Sequence, residues 1–122
     1  MSRKDCAHLL DEMRYAARRA RANIEGFTRD DFVGDLTHQE AAIMNLFVIG
    51  EMASRLVLHH ADFLIAHPDL QVAEMRGMRN RIAHGYHLLD LDVGWQTLTD
   101  QVPELLEQLD DILSNGETHG QS

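Results

Sequence analysis

Apolar residues recur along this chain at the three- and four-residue spacing of amphipathic helices. Near the start the spacing alternates four and three, as in a bundle helix, at Cys6, Leu10, Met13, Ala17, Ala20, Ile24 and Phe27. The same alternation returns near the end, at Leu91, Trp95, Leu98, Val102, Leu105, Leu109 and Ile112. No stretch sustains the period-two alternation that indicates strands. The chain is therefore predicted to be all-α.

A central helix is predicted to begin at a capping box, because Thr37 and Glu40 have the required three-residue spacing. From there to Val57 the helix is apolar almost all round, which indicates burial on most sides. We expect it to form the centre of the core. The polar segment 28–35 before it is predicted as a connection that includes one short turn.

A third helix is predicted from about Leu70 to His84. The segment 59–68 is expected to connect it to the central helix. Gly85 is well placed as its stop, because glycine readily adopts the left-handed conformation that ends many helices.

The last helix is expected to be capped by Asp90 or Asp92 and bent by Pro103, since proline lacks a backbone donor and clashes with the preceding turn. Four helices with bundle spacing predict an antiparallel four-helix bundle with a short extra turn and a kinked last helix. We expect residues 1–115 to form one helical domain and residues 116–122 a flexible polar tail.

Composition sets further bounds on a chain of 122 residues. The single cysteine, Cys6, permits no internal disulfide, and it is expected to be a small core residue. We expect no apolar run to approach the roughly 20 residues of a membrane helix, and the first residues lack an apolar signal-peptide core. These features favour a cytoplasmic protein that does not enter a membrane.

The net charge of −9 argues against indiscriminate binding of nucleic acid. The arginines are nevertheless clustered, since Arg14, Arg18, Arg19 and Arg21 fall together, as do Arg76, Arg79 and Arg81. The candidates for binding RNA are Arg14, Arg18, Arg76 and Arg81. If both groups face one cleft, they can bind RNA as a local positive patch. The alternative, with about equal weight for the first cluster, is a solvated helix face paired with nearby carboxylates.

The richest chemistry lies at the end of the third helix, where Arg79, Asn80, His84 and Tyr86 form the pattern R-N-x-x-x-H-x-Y. Arginine carries a fixed charge in a fork that matches phosphate oxygens, and histidine can transfer protons near neutral pH. Five residues span about 140° around an ideal helix. We therefore expect His84 to lie in the last turn, where the local backbone can direct its imidazole toward Arg79.

This pattern resembles the signature of HEPN-domain ribonucleases, above all the HepT-like toxins of HEPN/minimal-nucleotidyltransferase modules. Residues 45–51, ending in Ile-Gly-Glu, look like the family's second-helix pattern, and residues 90–95 and 102–106 look like its final helix. The resemblance covers roughly residues 1–113. Segment 69–74 departs from many relatives, which puts the start of the third helix in doubt.

The resemblance implies a metal-independent endoribonuclease toxin without a cofactor that cleaves tRNA or mRNA by attack of the RNA 2′-hydroxyl. One chain supplies one histidine and one strong arginine, so a homodimer would complete the proton-transfer set. His84 would act in acid–base roles, Arg79 would bind the scissile phosphate, and Asn80 would orient either. A nucleotidyltransferase antitoxin would silence the toxin by attaching AMP to Tyr86.

Several alternatives stay open at this point. Glu51 can hold Arg79, although a local pair with Arg55 is slightly favoured. The cluster His59, His60, Asp62 and His67 matches no closed zinc pattern, and neither does His84 with His87, so no metal site is predicted. The chain can instead be a non-catalytic nucleotide- or partner-binding module that serves a nucleotidyltransferase. In a structural reading, Arg79 and His84 only satisfy buried polar groups.

Overall fold

The computed structural model describes residues 3–120, and it is helical with short connections. The long helices are α1 (Arg3–Asn23), α3 (Leu36–His59), α5 (Val72–His84) and α7 (Val102–Gly120), and the short ones are α2 (Arg29–Gly34), α4 (Ala61–Ala66) and α6 (Leu91–Gln96). A 3₁₀ turn (Tyr86–Leu88) follows α5, and a π-helical stretch (Thr97–Gln101) joins α6 to α7. No strand occurs in this part of the chain, which confirms the all-α prediction.

The four long helices form the predicted bundle. Helices α1 and α5 pack on α3, and α7 packs on α1. The seam predicted for α1 is buried from Cys6 to Ile24. The largest fully buried side chains are Phe32, Met13, Ile43, Leu46, Ile49, Leu56, Met75, Leu98, Leu105, Leu109 and Val102, so the long helices and α2 share one core.

Helix α3 is central, as predicted, but it is not buried on most sides. Leu36 and Met44 are each 62% exposed and Leu58 is 75% exposed. The expectation that no segment approaches a membrane helix is also wrong for α3, which is long and apolar enough by length and composition, with 44% of its most apolar stretch buried. Its position between α1 and α5 accounts for this composition, because a core helix of a bundle must be apolar on several sides.

The start of α3 corrects the predicted cap. Asp35, and not Thr37, is the N-cap, and its side chain accepts a hydrogen bond from the His38 backbone N–H at 3.0 Å. The capping box lies upstream in the segment predicted as a connection, where Thr28 and Asp31 exchange side-chain and backbone hydrogen bonds at the start of α2. Either polar residue can cap a helix, so spacing alone did not locate the boundary.

The connection between α3 and α5 contains α4, and α5 begins at Val72, two residues after its predicted start. The predicted end at His84 is confirmed, and the Gly85 N–H donates to the Arg81 carbonyl at 3.3 Å. Gly85 does not adopt a left-handed conformation, however. Its φ of 178° is extended backbone, so the helix ends by straightening into the following turn.

The last helix begins at the Asp90 cap, as predicted. Next to Pro103 lies the π-helical stretch, which ends at Gln101, two residues before the proline, with the Val102 N–H donating to the Thr97 carbonyl. Wider turns of this kind accommodate a residue that cannot donate. Helix α7 continues through residues 116–120 of the predicted tail. Gln121 and Ser122 lie outside the described residues.

Candidate active site

The candidate site lies where α5 crosses α3 at very short range. A Cβ atom placed on Gly50 would come within 2.2 Å of the Arg79 Cβ and 2.7 Å of the Met75 carbonyl oxygen. Only a residue without a side chain allows this approach. Gly50 therefore sets the distance at which the base of the Arg79 side chain meets α3.

Arg79 is held against α3 by its neighbours on both sides of Gly50. Its Nε donates to the Glu51 carboxylate, and its guanidinium carbon lies 5.3 Å from the centre of the Phe47 ring. Arg79 and Glu51 side chains are both 33% exposed, so the pair is reached by solvent yet partly screened from it. The favoured local pair of Glu51 with Arg55 is wrong, because Glu51 contacts Arg79 across the helix crossing.

Asn80 adds a third contact to the guanidinium. Arg79 Nη1 donates to Asn80 Oδ1 at 3.2 Å. Asn80 thus orients Arg79, while its amide N–H₂ group makes no hydrogen bond within the described residues. Glu51 occupies Nε and Asn80 accepts from Nη1, so Nη2 remains available as a donor. The arrangement can bind a phosphate oxygen while the guanidinium keeps a fixed orientation.

His84 is the last residue of α5 and is exposed. The predicted place of His84 in the last turn of the helix is confirmed, and no hydrogen bond joins its side chain to Arg79 within the described residues. Because His84 is exposed, it does not satisfy a buried polar group, which excludes the purely structural alternative for this residue. Arg79 does have a structural role, through Glu51.

Tyr86 opens the 3₁₀ turn directly after α5, and its side chain is accessible because the residue is 40% exposed. Partial burial, together with the negative charge of Glu40 on α3, raises the pKa of the Tyr86 hydroxyl. At neutral pH this hydroxyl is therefore protonated. A reaction at its oxygen needs a base to remove the proton.

The predicted RNA-binding arginines fall into two groups that the structure does not join. Arg76 and Arg81 are exposed on α5 and form no ion pair among the described residues. Arg14 contacts Asp110 of α7 at 3.4 Å and Asp11 at 2.9 Å, and Arg18 contacts Asp110 at 3.1 Å. The paired, structural alternative is therefore correct for Arg14 and, in part, for Arg18.

Two other candidates can be placed. Cys6 is buried in the core, as predicted, and burial raises the pKa of its thiol, which disfavours the nucleophilic thiolate. Within residues 4–115, no three His, Cys, Asp or Glu side chains come together as a metal-binding group. His67 instead stacks on Phe63, with ring centres 4.3 Å apart.

Sequence reasoning did not assign roles to Phe47, Gly50 or Glu40. Phe47 and Gly50 lie within the Ile-Gly-Glu segment that was recognised as a pattern. A glycine beside a lone carboxylate in an apolar helix is the available signal for a close crossing that holds a cation. Nothing in the sequence indicates that Glu40 lies near Tyr86, because that proximity depends on how α5 returns along α3.

Comparison with known proteins gives one consistent result. A family model described as "Ribonuclease HepT-like" matches residues 13–112. "Probable ribonuclease HepT" from Thermococcus cleftensis is 36% identical over 86 residues, covering 67% of this chain and 76% of that protein. A "Putative RNase" from Caldanaerobacter subterraneus subsp. tengcongensis is 29% identical over 106 residues, covering 87% and 88%. Another "Putative RNase", from Methanocaldococcus jannaschii, is 28% identical over 114 residues, covering 90% and 98%.

The match to the family model contains every residue of the R-N-x-x-x-H-x-Y pattern and all of α3 and α5. No solved structure matches the chain at a comparable level.

Proposed function

Because the chain belongs to the HepT-like ribonuclease family, we propose that it is a metal-independent endoribonuclease and the toxin of a toxin–antitoxin pair. The observation that carries the proposal is the arrangement of Arg79. Glu51, Phe47 and Asn80 hold its guanidinium at the α3–α5 crossing and leave donors free, five residues before the exposed His84. We expect the protein to act in the cytoplasm.

The proposed reaction is attack of an RNA 2′-hydroxyl on the adjacent phosphorus. The 2′-oxygen forms a bond to phosphorus while the bond to the 5′-oxygen breaks, leaving a 2′,3′-cyclic phosphate and a free 5′-hydroxyl. A base must take the proton of the 2′-hydroxyl and an acid must give one to the leaving oxygen. Arg79 stabilises the charge that develops on the phosphorane oxygens.

One copy of the motif supplies one histidine, His84, whereas the reaction needs both an acid and a base. We therefore propose a homodimer whose two His84 side chains share these roles. Support comes from the surface next to Arg79. Met44 is 62% exposed one turn before Phe47, whose ring lies under the guanidinium. An exposed apolar side chain beside the site fits contact with a second copy of the chain, since symmetric dimers are the commonest assembly.

Tyr86 is the proposed acceptor of AMP from a minimal nucleotidyltransferase antitoxin. Its hydroxyl oxygen would form a bond to the α-phosphorus of ATP, with pyrophosphate leaving. Since the hydroxyl pKa is raised by partial burial and Glu40, the partner enzyme must supply the base. AMP at this position would place a phosphate and a nucleoside two residues from His84 and block RNA.

The catalytic proposal is tested by cleavage of total tRNA and mRNA in a metal chelator, with protein expressed alone. His84→Ala should lower the rate about 10²–10⁴-fold, and Arg79→Ala about 10²–10³-fold. His87→Ala is the matched control, because His87 is also exposed and lies in the 3₁₀ turn just beyond the helix. Equal rates in the His84 and His87 variants would contradict the proposal.

The composite site is tested with Met44→Asp, which puts a charge at this exposed position without touching the core. We expect a monomer with a cleavage rate at least tenfold lower. Ile65→Asp, on α4 and 76% exposed, controls for a surface charge as such. A monomeric variant that retained full activity would show that one copy is sufficient.

A second candidate is a non-catalytic nucleotide- or partner-binding module, which the net charge of −9 favours because an acidic body repels RNA. One preparation of the protein distinguishes the ribonuclease from the binding module. Absence of cleavage by protein whose intact mass shows unmodified Tyr86 would establish the module, whereas cyclic phosphate ends lost in His84→Ala would exclude it.

A further inference from the structure

A second groove, which we call the α1–α6 groove, lies away from the residues of the candidate active site. It has a volume of about 590 Å³ and is lined by Arg18, Arg21, Glu25, Phe27, Trp95 and Thr99, among others. These residues belong to the end of α1, the connection that follows it, α6 and the π-helical stretch. None belongs to α3 or α5, so the groove shares no lining residue with the Arg79 site.

Arg21 places a positive charge in this groove. Its Nη1 donates to the Leu98 carbonyl of the π-helical stretch at 3.2 Å. It forms no ion pair within the described residues, in contrast to Arg18, which contacts Asp110 at 3.1 Å. One hydrogen bond to a carbonyl fixes the guanidinium in place and leaves the rest of its five N–H groups available.

Trp95 provides an aromatic surface beside that charge. The residue is partly buried, and its ring is held by Phe32, with ring centres 5.5 Å apart and planes inclined by 37°. Its indole N–H forms no hydrogen bond in the described part of the chain. A flat ring with a free donor, next to a fixed cation, matches the two halves of a nucleotide, because bases stack on aromatic rings and phosphates bind arginine.

We propose that the α1–α6 groove binds a nucleotide unit, with its phosphate on Arg21 and its base against Trp95. The volume is within the range of pockets that enclose small ligands. The unit can come from a free mononucleotide or from single-stranded RNA, which present the same chemistry. This inference goes beyond the proposed catalytic site and does not require that site to be active.

Glu25 places a negative charge in the same groove, and its removal provides a direct test of the proposal. It lines the groove one helical turn after Arg21, is exposed, and forms no ion pair in the described residues. Its carboxylate repels an incoming phosphate. Replacing it with glutamine should therefore strengthen binding, whereas loss of a residue that merely supports the fold would not improve affinity.

The test is titration of the His84→Ala protein with AMP and, separately, with a 5′-phosphorylated single-stranded tetranucleotide. Trp95 is the only tryptophan of the chain, so its fluorescence reports on the groove itself. We expect saturable quenching by at least one of the two probes. Arg21→Gln, which keeps a donor for Leu98 but loses the charge, should weaken binding about tenfold or more, and Glu25→Gln should strengthen it severalfold.

Arg19→Gln is the matched control, since Arg19 is on the same helix and lies over the Tyr15 ring, 5.6 Å from its centre, outside the groove. Binding of AMP identifies a free nucleotide as the ligand, and binding of the tetranucleotide alone identifies RNA. The proposal is overturned by absence of saturable quenching with both probes, by equal effects of the Arg19 and Arg21 substitutions, or by unchanged affinity in Glu25→Gln. The last comparison holds even if Arg21→Gln fails to fold.

Discussion

The arginines of α1 and those of α5 look alike in the sequence, yet they are used differently in the two regions. On α1, Arg14 and Arg18 converge on Asp110 and tie α1 to α7. On α5, Arg79 has one carboxylate partner, Glu51, which lies on the helix against which α5 packs. On the α1–α7 side two arginines share one carboxylate, whereas on the α3–α5 side Arg79 pairs with one carboxylate and is the proposed ligand of the RNA phosphate.

Close approach of α3 and α5 accounts for the position of Arg79. At the α3–α5 crossing Gly50 removes all side-chain volume, so Arg79 emerges beside α3 and meets Glu51 and Phe47 near its base. Arg14 and Arg18 instead contact Asp110 of α7, and their side chains are 20% and 58% exposed. Clustered charge in a sequence therefore does not reveal whether the charge is available. Helix packing decides it.

The largest effect is expected from Gly50→Ala. Its Cβ would meet the Met75 carbonyl oxygen at 2.7 Å and the Arg79 Cβ at 2.2 Å, and backbone atoms cannot move aside cheaply. We expect a loss of about 3 kcal/mol in the free energy of unfolding, together with loss of RNA cleavage. Urea denaturation measures the first and the chelator assay the second.

Gly77→Ala on α5 is the control for Gly50→Ala. Nothing lies within 4 Å of a Cβ at Gly77, so alanine should stabilise the helix by about 0.5–1 kcal/mol. If the two alanine variants were equally stable, the close crossing would not be the feature that sets the Arg79 site.

The second-largest effect is expected when Glu51, the partner of Arg79, is compared with Asp110, the partner of Arg14 and Arg18. Glu51→Gln keeps a hydrogen-bond acceptor but removes the charge that orients Arg79, so we expect kcat to fall about tenfold with a smaller change in KM, since Arg79 acts mainly on the transition state. Asp110→Asn should leave kcat unchanged and lower the stability by at most about 1 kcal/mol, because its ion pairs with Arg14 and Arg18 are at or near the surface.

Steady-state cleavage of one defined RNA by both variants measures this contrast. Equal losses of kcat in Glu51→Gln and Asp110→Asn would contradict the claim that only Glu51 affects cleavage.

The sequence predicted helices well where apolar spacing is regular, as along α1 and in residues 91–112. It failed at boundaries and at contacts between helices. Thr37 and Asp35 are both good caps, and only the backbone decides between them. Glu51 had a plausible partner one turn away in Arg55, and its actual partner is 28 residues distant. That pairing depends on the crossing at Gly50, which no local pattern measures.

The candidate site was predictable as a set of residues but not as a geometry. Arg79, Asn80 and His84 were recognised as a pattern in the sequence. The structure adds that Arg79 donates a hydrogen bond to Asn80 and that none joins Arg79 to His84. The α1–α6 groove was not predicted, since Arg21 and Trp95 are 74 positions apart in the sequence and meet only because α6 packs near the end of α1. Long-range proximity of this kind follows from the fold.

The smallest effect concerns a third structural arginine, Arg29, which joins α2 to α6 through Asp92. The hydrogen bond from Arg29 holds the pKa of Asp92 below its usual range. A carboxylate with a lowered pKa in the folded state contributes stability above its unfolded pKa, and that contribution is lost as the pH falls through the folded value. We therefore expect the melting temperature of the wild-type protein to fall below about pH 4, and Asp92→Asn to show a shallower fall.

Part of the acid dependence of the melting temperature should remain in Asp92→Asn, because the pKa of Asp35 is lowered as well. The main cause is the hydrogen bond that Asp35 accepts from the His38 backbone N–H. Thermal melts from about pH 6 to pH 2.5, with Asp110→Asn alongside, measure the effect. If Asp92→Asn ran parallel to the wild type at every pH, the Arg29 pair would make no pH-dependent contribution. RNA cleavage near neutral pH should be the same in the wild type and Asp92→Asn, since Asp92 pairs with Arg29 and forms no ion pair or hydrogen bond with Arg79 or His84.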